Sequence, residues 1–178
     1  KGTELSKKTL GIVGFGNVGV RLSNLVKGFD MKILVNSKSL ESRKSEYPHV
    51  DNASFEDLIS KCDIISFHCK AAADGKPLLT KDHFKKMKPT SYIINAARGN
   101  IIDENDLNDA LNEGLIAGAA VDVFSKEPAK ENILFNNPKA VLTPHIAAST
   151  TEASIVVAEM VANQISDFLL NGVKKNTV

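Results

Sequence analysis

Thiols are scarce in this sequence: two cysteines in 178 residues. Cys62 and Cys69 lie seven positions apart, with no CxxC pair and no metal-ligand partner. That spacing argues against a disulfide scaffold or a zinc site. It fits free thiols in a reducing compartment, and so a cytoplasmic setting. No uninterrupted apolar run approaches the ~18 residues that cross a bilayer, and no secretory signal stands at the start. The net charge of +1 comes without a basic stripe, so neither a nucleic-acid nor a membrane partner is expected. Lys85-Lys86 and Lys174-Lys175 read as solvated helix faces or ends. Internal repeats and low-complexity tracts are lacking, and the first residue is Lys1 rather than Met, which reads as a piece of a longer protein.

What is present is ordinary for one soluble globular domain: 43% hydrophobic and 24% charged residues. Short, nearly continuous apolar runs fall at 9–14, 32–36, 64–68, 92–96, 117–123 and 140–143. Strands buried on both faces have this pattern. Helical spacing fills the segments between them, at 17–29, 54–62, 80–87, 103–113 and 150–170. Ser54 opens the second helix with a capping pattern, and Gly114 and Gly172 mark helix ends. The stretch 125–138 reads as an irregular surface loop. Strand–helix alternation of this kind predicts βαβ units and an α/β parallel sheet covered by helices on both faces.

Gly14-Phe15-Gly16-Asn17-Val18-Gly19 is GxGxxG, placed directly after an apolar strand and at the start of an amphipathic helix. Gly14 permits the tight turn, Gly16 lets a pyrophosphate approach the backbone, and Gly19 lets helix and strand pack closely. The helix N-terminus offers N–H groups and partial positive charge to phosphates. The expected fold is therefore a Rossmann-like doubly wound parallel sheet in a single domain, and the expected cofactor is a nicotinamide dinucleotide. An acid for the adenosine ribose normally ends the second strand, ~20 residues on. Asn36 stands there, followed by Ser37 and Lys38. Asn36 can bind a ribose hydroxyl but carries no charge to repel a 2′-phosphate, which Lys38 or Arg43 would attract. NAD is the first expectation, and NADP stays open.

Three polar residues follow three later strands: Arg98 in NAARG, Glu127 in VDVFSKEP and His145 in TPHIAAST. Ligands of an open parallel sheet bind at the carboxyl ends of its strands, so these residues are expected on the cofactor edge. Each alone is unremarkable. Together they supply a cation, a carboxylate and a proton donor, which hydride transfer to a 2-keto acid requires.

The motifs GIVGFGNVG, NAARGNIID, VDVFSKEP and TPHIAAST, in this order and spacing, resemble the nucleotide-binding domain of the D-isomer-specific 2-hydroxyacid dehydrogenases over nearly the whole chain. GTELSKKTLGIVGFG and PHIAASTTEA most resemble the members that oxidise 3-phospho-D-glycerate in serine biosynthesis. The resemblance implies an NAD-dependent dehydrogenase acting on a D-2-hydroxy acid or 2-keto acid. It places the substrate-binding arginine on Arg98, the catalytic histidine on His145 and its supporting carboxylate on Glu127. It implies pyrophosphate contacts at Asn17 and Val18, a carboxamide contact at Asp122, and further cofactor contacts at His68, Cys69, Ala96, Ala97, Ala147 and Ala148. His49 and His83 match nothing and read as surface residues. Lys70 stands where the family has a proline. The resemblance implies one dinucleotide-binding domain over 1–178, with 1–9 and 172–178 as connections toward a substrate domain that this sequence lacks. It implies a homodimer or homotetramer for the full-length protein, and little turnover by this piece alone. Two other readings share the motifs: a dinucleotide-sensing corepressor-type module, and an NADP-dependent hydroxypyruvate or glyoxylate reductase.

Overall fold

The computed structural model describes residues 2–176. Lys1, Thr177 and Val178, at the outer ends of the two expected connections, lie outside the described residues. The strands are β1 (Thr9–Val13), β2 (Lys32–Asn36), β3 (Asp51–Asn52), β4 (Ile64–Phe67), β5 (Tyr92–Asn95), β6 (Gly118–Val121) and β7 (Ala140–Leu142). The α-helices are α1 (Asn17–Leu25), α2 (Phe55–Lys61), α3 (Lys81–Phe84), α4 (Glu104–Glu113) and α5 (Thr151–Asn171). Two units divide the chain, the first ending at Pro144 and the second starting at His145.

In the first unit all seven strands pair in parallel, in the order β3-β2-β1-β4-β5-β6-β7. β1 lies between β2 and β4, so the chain reverses its direction of travel there. This is the doubly wound topology that the strand–helix alternation predicts. The six expected strands are all present. The seventh, β3, is two exposed residues paired with Leu34 and Val35, and it carries no apolar signal. The first expected helix stops as α-helix at Leu25 and finishes in a 3-10 turn, Val26–Phe29, closed by Asp30 in the left-handed region. The third shrinks to the four residues of α3. A second 3-10 segment, Lys38–Glu46, follows β2 with only Leu40 buried, and apolar periodicity gives no sign of it.

Successive strand side chains point to opposite faces, and the sheet sorts its core accordingly. Leu10, Ile12, Ile33 and Val35 join Phe15, Leu40 and Val50 on one face. Val13, Leu34, Ile65, Phe67 and Ile93 join Leu58 and Ile59 of α2, Phe84 of α3 and Leu107 and Leu111 of α4 on the other. Tyr92, Ile94 and Val141 stay exposed, beside a groove of about 490 Å³.

The register sets up the site. Val13 is level with Asn36 and Phe67, Phe67 with Asn95, Asn95 with Val121, and Val121 with Leu142. The carboxyl ends of six strands therefore form one row. Gly14, Ser37, His68, Ala96, Asp122 and Thr143 follow immediately as its rim.

The second unit holds α5, capped by the Thr150 hydroxyl, which accepts from the Ala153 N–H, and closed by Gly172 at a φ of 67°. At 21 residues and a mean hydropathy of 1.3, α5 has the length and composition of a membrane span, although no single apolar run does. Glu152, Glu159 and Asp167 interrupt it, and soluble proteins use helices of this composition too.

Candidate functional site

The turn from β1 into α1 shows why its glycines are needed. Gly14 has a φ of 94°, and a Cβ there would fall 2.7 Å from the backbone of His68 and Cys69. A Cβ on Gly19 would meet the Gly14 carbonyl oxygen at 2.3 Å, so strand and helix touch only because both residues lack side chains. Gly16 differs. Its φ of −83° suits any residue, and a Cβ would meet nothing within 4 Å. No internal contact demands glycine at position 16, and the open space before the helix is where a phosphate would sit. No side chain caps α1, so its first N–H groups point into that space. The residues present fit a dinucleotide pyrophosphate.

Beside this turn lies a cleft of about 630 Å³, lined by Val18, His68, Cys69, Ala96, Ala97 and Arg98, all expected from sequence. It opens at the β1/β4 reversal, where doubly wound sheets bind ligands. Lys70, Ala71 and Asn100 complete the lining. Sequence reading treated Lys70 only as a departure from a motif, although its place at a strand end was a usable signal. The lining carries two cations and no carboxylate, so it favours an anion. Burial holds the His68 imidazole below the ordinary histidine value. Its Nε2 lies 2.9 Å from the hydroxyl of the buried Ser66. His68 is thus a neutral wall residue near pH 7. Burial likewise raises the Cys69 thiol.

Arg98 stands in extended conformation at the head of the 3-10 turn Gly99–Ile101. Asn95, buried at the end of β5, sets that turn with both ends of its amide. Its Nδ2 donates to the Arg98 carbonyl at 3.0 Å, and its Oδ1 accepts from the Ala97 N–H at 3.2 Å. The guanidinium is exposed and donates to the Ala97 carbonyl. It forms no salt bridge with a carboxylate among the described residues.

Asp122 is buried after β6 and accepts from the Thr143 hydroxyl at 2.5 Å. Glu127 is exposed, and its Oε1 accepts from the Phe124 N–H at 2.9 Å. Neither lines the cleft. The loop carrying Glu127 is held by Glu104, in the first turn of α4. Glu104 accepts from the Ser125 N–H at 2.7 Å, the Ser125 hydroxyl at 3.0 Å and the Asn132 amide at 2.7 Å. Sequence reading missed both Asn95 and Glu104.

Asn36, Ser37 and Lys38 sit one strand over, at the end of β2. His145, Ala147 and Ala148 belong to the second unit, all exposed, with His145 at a φ of 55° in the left-handed region. His49 and His83 are not the surface residues expected. Both are half-buried. His49 bonds the Ser23 hydroxyl, and His83 Nδ1 accepts from the Thr80 N–H in the capping box of α3.

Known proteins resemble this chain over nearly all of its length. The chain is 40% identical over 167 residues to a D-3-phosphoglycerate dehydrogenase of Bacillus subtilis, covering 94% of this chain and 32% of that protein. It is 39% identical over 177 residues to a glyoxylate reductase of Thermococcus litoralis, covering 99% of this chain and 54% of that protein. Among solved structures, a glyoxylate reductase of Paecilomyes thermophila superposes with a TM-score of 0.85 at 31% identity, over 98% of this chain and 53% of that one. The chain thus spans about half the length, or less, of the relatives it matches. Residues 1–147 match the family model described as D-isomer specific 2-hydroxyacid dehydrogenase, NAD binding domain. The chain belongs to the D-isomer-specific 2-hydroxyacid dehydrogenases and carries their NAD-binding domain.

Proposed function

We propose that this chain serves an oxidoreductase that moves hydride between a nicotinamide dinucleotide and a D-2-hydroxy acid or its 2-keto acid. 3-Phospho-D-glycerate is the first candidate substrate. The observation that carries the reading is Arg98: a cation without a carboxylate partner among the described residues, on a cleft lined by no carboxylate, beside a glycine turn open to a pyrophosphate. The bound dinucleotide supplies the hydride chemistry. Gly16 and the first N–H groups of α1 bind its phosphates. Val18, Ala96 and Ala97 form the apolar wall and exclude water. Arg98 holds the substrate carboxylate and polarises its carbonyl. His145 donates a proton to the nascent alkoxide and accepts it in the reverse direction. Glu127 is the carboxylate assigned to support that histidine. The roles of His145 and Glu127 rest on the motif match.

The similarity to both phosphoglycerate dehydrogenases and glyoxylate reductases makes glyoxylate and hydroxypyruvate the competing substrates. A homodimeric or homotetrameric state of the whole protein rests on the family resemblance, and a cytoplasmic location on the two free thiols. The test is the absorbance of reduced nicotinamide on mixing the whole protein with cofactor and a panel of 2-hydroxy and 2-keto acids. Turnover that collapses in His145→Ala, with dinucleotide affinity retained, supports the reading. Tight dinucleotide binding with a blank panel favours a sensing module.

A further inference from the structure

Arg98 has the task of holding a substrate, and its own backbone is held by a residue with no part yet in the chemistry. Asn95 ends β5, level with Phe67 on one side and Val121 on the other. Both neighbours are apolar and buried. Asn95 is only 1% exposed, yet polar. Its backbone stays in the sheet, where its carbonyl accepts from the Asp122 N–H at 2.9 Å. Its side chain bonds forward along the chain, past Ala96. The Nδ2 donates to the Arg98 carbonyl at 3.0 Å, and the Oδ1 accepts from the Ala97 N–H at 3.2 Å. Turning the amide over would set oxygen against oxygen and N–H against N–H, so the network fixes its orientation.

These two bonds bracket Arg98. One holds the peptide plane that enters Ala97, and the other holds the plane that leaves Arg98. The Ile101 N–H adds a longer bond to the same Arg98 carbonyl, at 3.3 Å. The exposed guanidinium therefore lines the cleft from a fixed root. A guanidinium binds a carboxylate with two parallel bonds only in one relative plane. Fixing the root narrows where that plane can lie and lowers the ordering cost of each binding event.

Position 95 needs both halves of an amide. A leucine of similar volume would fill the space and leave the Ala97 N–H and the Arg98 carbonyl without these partners. A carboxylate offers only acceptors, so it would turn an oxygen toward the Arg98 carbonyl. A buried amide here costs desolvation that packing does not need, and what it secures is the turn carrying Arg98. We infer that Asn95 is a positioning residue for hydride transfer: its amide fixes the backbone from which Arg98 meets the carboxylate of a 2-keto acid. The inference rests on the reading of Arg98 as the substrate-holding cation.

The experiment is a double-mutant cycle in the whole protein, with NADH and the panel of 2-keto acids, glyoxylate first. Asn95→Asp and Asn95→Ser are each made in wild type and in Arg98→Ala, and kcat/KM is read for all. Asn95→Asp keeps the shape and loses the donor. Asn95→Ser adds no charge, and one short hydroxyl cannot span both groups. Each should lower kcat/KM by about tenfold in the wild-type background, part of the roughly hundredfold loss that a 1 Å misplacement causes. In Arg98→Ala each should lower it by less than about twofold, because the residue through which the amide acts is gone. NADH affinity should move far less than kcat/KM. A merely structural role would cost the same factor in both backgrounds. Equal factors, or no loss in the wild-type background, overturn the inference and leave the reading of Arg98 standing. Either variant decides alone if the other fails to fold; failure of both assigns the amide to the fold and overturns the inference as well. Turnover indifferent to Arg98→Ala, or a wild type silent across the panel, overturns the reading of Arg98 and the inference together.

Discussion

Gly99 and Phe124 press together so closely that a Cβ on Gly99 would fall 1.9 Å from the Phe124 carbonyl carbon and 2.0 Å from its oxygen. This contact joins the turn after β5, which presents Arg98, to the loop after β6, which presents Glu127. Gly99→Ala must push the two apart. It should cost about 1–3 kcal/mol of stability, the range for overpacking a tight contact. It should also weaken dinucleotide binding. Urea unfolding and a titration with NADH check both; a stable variant with native affinity would show the contact to be incidental.

Glu104 holds the same loop from below with three accepted hydrogen bonds. Glu104→Ala leaves the exposed Ser125 N–H to water and should destabilise the chain by about 0.5–1.5 kcal/mol. Glu104→Gln retains acceptor capacity at one oxygen and should lose less. Limited proteolysis should show cleavage within 125–138 accelerating in the alanine variant.

Folding and acid oppose each other at His68. Burial depresses its pKa in the folded chain below that in the unfolded chain, which lies at about 6.5. The unfolded state therefore takes up the proton first. His68 costs no stability well above pH 6.5, and stability falls as the pH drops below that value toward the folded pKa. His49 is shifted the same way, by burial and by the charges of Lys27 and Lys44. Melting temperatures across this window should fall less steeply in His68→Gln than in the wild type, and NMR should show the His68 ring titrating below 6.5.

The two thiols should differ in reactivity. Cys62 is fully buried and its pKa is pushed up to about 12 by loss of solvation, so it should resist alkylation at neutral pH. Cys69 is half-buried and lines the cleft, so it should react slowly but measurably. Bound dinucleotide should slow it further. Mass-spectrometric mapping of alkylation with and without NAD reads this directly, and unchanged labelling of Cys69 would place the cofactor elsewhere.

Much of this site could be read from residue order because its parts lie at strand ends, and apolar runs mark strand ends well. Gly14, His68, Ala96 and Arg98 each follow such a run, and the parallel register brings their strand ends level. What stayed hidden was polar. Lys38–Glu46 and β3 bury almost nothing, so apolar periodicity has no purchase on them. Glu104 looks like any acid in a helix's first turn, and its three partners come from a loop more than twenty residues away. Asn95 looks like the last residue of a strand. Its buried amide, bonded to Ala97 and Arg98, becomes apparent only in three dimensions.

The most direct test of the central claim is stereochemical. The whole protein, with NAD or NADP, should reduce the cofactor in the presence of D-2-hydroxy acids and leave it unchanged with the L-enantiomers. Arg98→Ala should lower kcat/KM by about a hundredfold or more, the scale of losing an electrostatic contact to the reacting group. Oxidation of L-enantiomers, or D-specific turnover indifferent to Arg98, would contradict the account.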